Sequence, residues 1–258
     1  MKSLPTLACG LLLGASISLP ALADYERETI VLRAGIGHVD PYSESGNVSL
    51  DDLRLEGTSI DVDTGTSLSL TGSFFFNEHF AVGLLAAWPF EHDLKVEGLP
   101  DLVGDNDFES FGSVDLGTID HLPPTVTLQW FPRCSWDWIQ PYVGIGLNYT
   151  TFFDEDLSDV TESYLETHLG AVTRGSLELD DSWGAAGELG VDFLFGDEKE
   201  WLVNFSVWAI DIDSDATITY DTEESTGSNG EVVRVSNKLA VDVEIDPWVY
   251  SIGIGYRF

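Results

Sequence analysis

A chain of 258 residues carrying 45 carboxylates against 11 lysines and arginines has a formal net charge of −34. That balance excludes nucleic acid as a partner, because phosphate recognition needs a basic footprint. Of the two cysteines, Cys9 falls in an N-terminal leader, so Cys134 has no intramolecular partner and a disulfide framework is excluded.

The leader comes first. Lys2 precedes an apolar run from Leu4 to Leu22, broken by Pro5, Gly10, Gly14 and Pro20, and Ala21-Leu-Ala23 supplies an A-x-A cleavage site before Asp24. This pattern predicts a secretory signal peptide over residues 1–23 and a mature chain of one domain over 24–258. No later segment has 18 consecutive apolar residues, so a mature chain embedded in a membrane has to close into a barrel.

Eight segments then alternate large apolar residues with small or polar ones, the period of a strand with two unlike faces. Their apolar stripes are Ile30 to Ile36, Leu68 to Phe76, Phe80 to Trp88, Val126 to Trp130, Val143 to Tyr149, Trp183 to Phe195, Trp201 to Val207 and Trp248 to Phe258. The last is the clearest. Trp248, Tyr250, Ile252, Ile254, Tyr256 and Phe258 place rings at both ends and aliphatics in the middle, as a strand crossing a bilayer does. Tyr256 and the terminal Phe258 also fit the signal by which bacterial outer-membrane barrels are recognised for insertion.

Connections after the second, fourth and sixth segments are short. Those after the first, third, fifth and seventh are long, about residues 40–63, 91–120, 154–181 and 211–246, and they hold 35 of the 45 carboxylates. Long loops on one side and short turns on the other are the topology of an outer-membrane barrel. The expected fold is therefore all-β: an eight-stranded antiparallel transmembrane up-and-down barrel, both termini periplasmic, with four long acidic extracellular loops. Eight strands leave a lumen filled by side chains or holding one small ligand.

His121-Leu-Pro-Pro124, Pro141-Tyr-Val-Gly-Ile-Gly-Leu-Asn-Tyr-Thr-Thr-Phe-Phe-Asp154, Asp181-Ser-Trp-Gly-Ala-Ala-Gly187, Trp201-Leu-Val-Asn204, Asp246-Pro-Trp248 and Gly255-Tyr-Arg-Phe258 resemble the OmpW family of outer-membrane proteins, in order and over nearly the whole mature chain. The resemblance implies an eight-stranded barrel with an unusually apolar lumen that carries small hydrophobic molecules. It implies outer-membrane lipid and lipopolysaccharide as surroundings, and the barrel-assembly machinery as a partner during insertion. It also implies a leucine and a tryptophan on facing strands that close the lumen, which fall on Leu85 and Trp208. Strand phase agrees, since both lie opposite their strand's apolar stripe.

Four charges share that inward phase: Arg33, Arg257, Glu188 and Asp192. An unpaired buried charge is expensive, so they are expected to pair into a structural plug at the periplasmic end, with Arg33 and Arg257 as neighbours. An ion-conducting path is the sharper alternative. Asp211-Ile-Asp-Ser-Asp215 invites a divalent cation but lacks the glycine and glutamate of an EF-hand loop, so a solvated acidic surface is expected and no metal. No compact Ser/His/carboxylate set or zinc motif is found, and His38, His79, His92, His121 and His168 are scattered. No cofactor and no enzymatic activity are expected. The leading reading is a passive outer-membrane conduit for small hydrophobic solutes. Its rivals are a surface-interaction barrel with a sealed lumen, serving adhesion or phage and toxin recognition, and a lipid-modifying enzyme.

Overall fold

The computed structural model describes residues 28–42, 44–50, 53–98, 113–132, 137–226 and 231–258. The expected signal peptide at 1–23, together with Cys9 and Cys134, lies outside the described residues.

In chain order the strands are β1 (Ile30–Asp40), β2 (Glu44–Ser45), β3 (Ser49–Leu50), β4 (Leu53–Arg54), β5 (Ser59–Val62), β6 (Gly65–Phe75), β7 (Phe80–Ala87), β8 (Phe90–Glu97), β9 (Ser113–Leu122), β10 (Thr125–Trp130) and β11 (Ile139–Leu157). Helix α1 (Asp159–His168) follows, then β12 (Ser176–Leu179), β13 (Ser182–Phe195), β14 (Trp201–Ile210), β15 (Asp213–Thr226), β16 (Glu231–Glu244) and β17 (Trp248–Arg257).

Eight of these close on themselves in the order β1-β6-β7-β10-β11-β13-β14-β17, with β17 returning to β1. Every pairing is antiparallel. The eight alternating segments of the sequence are these eight strands. Their stripes face outward: Leu32, Leu68, Leu84, Leu128, Ile145, Leu189 and Ile252 are all exposed large hydrophobics. An apolar exterior on a closed sheet has no edge to protect and suits lipid rather than water. Rings flank the band at both levels. Phe76 with Phe80, and Trp201, Tyr256 and Phe258 with one another, cluster near the short turns. Tyr149 and Trp183 cluster near the opposite rim.

The four long connections were expected as loops, and the structure folds most of their described length into a cap. Beyond the barrel, β11 continues to Leu157 and pairs with β9, which pairs with β8 and then β5. A second sheet, β12-β15-β16-β3-β4, faces it, with β2 on the same strand β16. Helix α1 lies beside β9. Alternation explains the strands. Phe90, His92, Leu94 and Val96 are buried while Glu91, Asp93 and Glu97 are exposed. Likewise Leu239, Val241 and Val243 turn inward while Lys238, Asp242 and Glu244 turn outward. The carboxylates thus coat a cap whose inside is apolar, each buried aliphatic contributing roughly 1.5–3 kcal/mol.

Candidate functional site: the barrel lumen and its throat

From the short-turn end upward the lumen is first apolar, then polar, then apolar again. Val31, Phe75, Ala81, Phe131, Tyr142, Leu194 and Leu202 form a closed cluster nearest the short turns. Phe131 stacks on Tyr142 at 4.8 Å and tilts against Phe75 at 4.7 Å. Glycine makes room for it: a Cβ on Gly190 would lie 2.2 Å from Tyr142 Cζ. The Tyr142 hydroxyl accepts a hydrogen bond from Asn204 Nδ2 at 3.0 Å, so the ring cannot retreat freely. Gly190→Ala should therefore lower stability by about 1–3 kcal/mol, the cost of overpacking. A lower temperature for the loss of the compact barrel band on a denaturing gel would register it, and an unchanged temperature would show that the lumen yields.

On this cluster rests the polar layer. Arg33 donates from Nε to Asp192 Oδ1 at 2.9 Å, from Nη2 to Asp192 Oδ2 at 2.5 Å and from Nη1 to Ser73 Oγ at 2.8 Å. Its guanidinium lies 5.4 Å from the Tyr142 ring centre. Asn204 Nδ2 also donates to Asp192, at 2.7 Å. The bidentate fork and the extra donors are what two buried charges need if desolvation is to be offset.

Glu188 has different partners. Its Oε2 accepts from Thr127 Oγ1 at 3.1 Å and from Gln129 Nε2 at 2.9 Å, so neutral donors rather than an arginine hold it. Arg257 departs from the expected lumen network. It faces Val31 across the β1–β17 ladder, two pairs nearer the turn than Arg33, which faces Gly255. Its half-buried side chain reaches the turn instead, donating from Nη2 to the Glu198 carbonyl at 2.6 Å. Nearest the short turns stands a plug of rings, with the Arg33–Asp192 ion pair above it. Two arginines side by side in a narrow lumen would repel, and the rim lets one of them turn toward water.

Leu85 and Trp208 stand in the upper part of the polar layer, beside the buried Thr125, Asn148 and Thr150, which hydrogen-bond to one another. The leucine and the tryptophan are buried, at 3% and 1% exposure. Leu85 is in register with Thr125 and Thr71, and Trp208 with Glu188 and Val249. The indole Nε1 donates to Ser206 Oγ at 3.3 Å, which satisfies its one polar atom without turning it toward the apolar side. Leu85 and Trp208 belong to the same apolar cluster as the inside of the cap, including Val39, Phe90, Ile119, Phe152, Ile210 and Val249.

Above them stand four clustered rings, three of them stacked and Phe152 tilted, that scattered histidines do not suggest. His121 lies 4.8 Å from His92, 5.5 Å from Phe90 and 6.0 Å from Phe152, centre to centre. His92 Nδ1 is 2.6 Å from the Asp63 carbonyl, an acceptor that assigns the proton to Nδ1. Burial lowers the pKa of His92 and brings that of His121 down to about 3, the neighbouring His92 adding to the fall. The signal was present in the sequence: Phe90, His92, Leu94 and Val96 alternate as strictly as any barrel strand.

The wall is interrupted beside Leu85. β7 and β10 pair up to Leu85 with Thr125, and β8 and β9 begin again at Phe90 with His121. Between them stand Ala86, Ala87, Trp88 and Pro89 on one strand and Leu122, Pro123 and Pro124 on the other. Three prolines bring no N–H to a ladder. Outside the same place, Ala34, Ile36, Leu68, Leu70, Ala86 and Trp88 line an open groove. On the cap, Asp211 and Asp213 meet Asp246, ligand oxygens within 4.8 Å, and all three are exposed. Asp215 is not among them.

The OmpW family profile matches residues 26–258. The chain belongs to the OmpW family. It is 34% identical to outer membrane protein W of Vibrio cholerae serotype O1 over 250 residues, 97% of this chain and 98% of that one. The crystal structure of OprG from Pseudomonas aeruginosa superposes with a TM-score of 0.74 at 37% identity, covering 92% of this chain and 99% of that one. The solid-state NMR structure of AlkL in DMPC bilayers shares the fold, with a TM-score of 0.51 at 22% identity and coverage of 96% and 97%. This OmpW-family chain is thus a bacterial outer-membrane β-barrel, and the family is not enzymatic.

Proposed function

We propose that this OmpW-family barrel conducts small hydrophobic solutes passively across the outer membrane, with the cap extracellular and both termini periplasmic. The observation that carries the reading is the single apolar cluster that joins the cap interior to Leu85 and Trp208. A solute moving down it exchanges one apolar environment for another and leaves water behind at the mouth. Leu85 and Trp208 would be the constriction that it meets.

Below them, the Arg33–Asp192 layer and the aromatic plug oppose a path to the periplasm. A solute leaving there would have to part a buried ion pair, which costs several kcal/mol. The interruption at Pro89, Pro123 and Pro124 favours a sideways exit into lipid, where the outer groove continues the apolar surface. No energy source is required, so transport follows the gradient. Signal-peptide cleavage after Ala23 and an insertion signal at Tyr256 and Phe258 complete the reading of how the chain reaches its membrane.

The test is transfer of a long-chain alkane into a receiving phase from vesicles that carry the purified protein, compared with empty vesicles. The protein should speed transfer, and Trp208→Ala should change that rate several-fold by opening or emptying the constriction. Transfer no faster than through bare lipid, with the barrel folded, would favour the surface-interaction reading.

A further inference from the structure

We propose that the polar layer of the lumen is a binding site for one monovalent cation, a small alkali ion or a proton, held between the Glu188 carboxylate and Gln129 Oε1. The first observation is a charge count. Of the inward charges, Arg257 leaves for the rim, so one guanidinium and two carboxylates stay inside. Arg33 gives its fork to Asp192 and also donates to Ser73. Glu188 is held by neutral donors, Thr127 Oγ1 at 3.1 Å and Gln129 Nε2 at 2.9 Å, with the Tyr142 hydroxyl beside it. The layer therefore carries one negative charge in excess, between the aromatic plug and Trp208, where an uncompensated charge is expensive.

The second observation is Gln129 Oε1, a buried amide oxygen with no hydrogen-bond partner. Gln129 is 2% exposed, and its Nε2 is already given to Glu188, so the amide stands at the carboxylate. Against an ionised Glu188, turning the amide over would set oxygen against oxygen and orphan the nitrogen instead. A buried acceptor of this kind calls for a water or an ion. One positive charge answers both observations. Water would serve Oε1 but leave the excess charge, and a divalent ion would reverse that charge. An alkali ion takes oxygen ligands, and three converge here: Glu188, Gln129 Oε1 and Thr127 Oγ1, which keeps its lone pairs after giving its hydrogen to Glu188. A proton on the second oxygen of Glu188 would be donated to Gln129 Oε1 and close a reciprocal acid–amide pair.

Glycine clears the ground for these side chains. Gly144 on β11 pairs with Gln129 on one side and Glu188 on the other, so the two meet across it. A Cβ there would lie 2.9 Å from Glu188 Oε2 and 3.3 Å from Thr127 Cβ. On β7, a Cβ at Gly83 would lie 2.4 Å from Gln129 Nε2 and 2.5 Å from Thr127 Oγ1. Packing this close admits a bare cation rather than a hydrated one. The charged or titratable groups that face Glu188 are Arg33 from β1, Tyr142 from β11 and Asp192 from β13, while β7, β10 and β14 bring uncharged side chains to the layer. Glu188 is in register with Trp208, so the cation sets the charge directly beneath the indole. The site follows from charge and burial and stands whether or not solutes pass the throat.

The experiment uses the full mature chain in lipid nanodiscs, isotope-labelled at the glutamate carboxyl carbons and the glutamine side-chain nitrogens. Sodium ion replaces N-methylglucamine at constant pH and ionic strength. Saturable shifts of Glu188 Cδ and Gln129 Nε2 are the result expected for an alkali ion. Glu188→Gln, which makes the layer neutral without changing its shape, should abolish the sodium dependence at Gln129. Gln129→Met, which removes the orphan oxygen and keeps the carboxylate, should weaken sodium binding several-fold and serves if the first variant does not fold. A Glu188 Cδ that ignores sodium but resonates as a carboxylic acid at neutral pH would identify the proton as the cation. An ionised Glu188 with both resonances indifferent to sodium would overturn the site and leave water at Gln129 Oε1. Sodium shifts that survive Glu188→Gln would put the ion elsewhere and also overturn it.

Discussion

Arg33→Met should cost the barrel about 3–5 kcal/mol, the largest loss expected from any single lumen change. The arginine is 3% exposed and its partner Asp192 is fully buried. Removing the guanidinium takes the bidentate cationic partner from a carboxylate to which Asn204 still donates, above the closed aromatic plug. Most of the penalty is the stranded charge rather than the lost contact. The double variant Arg33→Met with Asp192→Leu, which removes both charges and keeps the volume filled, should therefore recover most of the loss. Urea unfolding of the refolded barrel in lipid vesicles, followed by tryptophan fluorescence, measures all three. A loss under about 1 kcal/mol in the single variant would mean that water enters the layer and screens Asp192, and it would reopen the ion-conducting alternative. Arg257→Met is the control. Its guanidinium binds a turn carbonyl at the rim, so the expected loss is about 1 kcal/mol or less.

The barrel was legible because lipid reverses the usual rule and writes a period of two on the outside of every strand. Leu32, Leu84, Ile145 and Ile252 announce their strands without any knowledge of partners. Inward phase also followed, and it put Arg33, Asp192, Glu188, Leu85 and Trp208 in the lumen. Pairing among the inward charges did not follow, because phase gives a face and not a height. Arg33 and Arg257 share a face, yet the strand tilt that brings Arg33 to Asp192 carries Arg257 to the turn. The cap was lost for another reason. Its strands β8, β15 and β16 also alternate, but many of their outward positions hold carboxylates, and β9 is broken by a bulge. A segment with a charge at every second residue reads as a solvated loop until its inward residues are counted. Counting Phe90, His92, Leu94 and Val96, or Leu239, Val241 and Val243, would have extended the strands past the membrane and brought His92 toward His121. The packing beneath α1 lies beyond any such count, since it depends on how two sheets from four connections face one another.

Acid should loosen the cap while the barrel stays closed. His121 titrates near pH 6.5 in an unfolded chain and at about 3 when buried among Phe90, His92 and Phe152, and His92 is lowered in the same direction. The folded state therefore favours the neutral ring. Its stabilisation is complete above pH 6.5 and falls by about 1.4 kcal/mol for each unit below it, until the folded pKa is reached. At pH 4.5 the loss from His121 alone is about 3 kcal/mol. Asp63, Asp93 and Asp120 face His92 and oppose the effect there, and Lys95 pairs with Asp63 at the same edge. None of these reaches His121, whose fall comes from burial first and His92 second. Hydrogen exchange, corrected for its intrinsic pH dependence, should show β8 and β9 losing protection between pH 6.5 and 4.5 while β1, β14 and β17 keep theirs. His121→Phe, which keeps a ring in the stack and removes the proton site, should flatten most of that change. Equal protection of β8 and β9 at both pH values would mean that the imidazoles are wetter than their burial indicates. A change that survives His121→Phe would place its origin in the cap carboxylates.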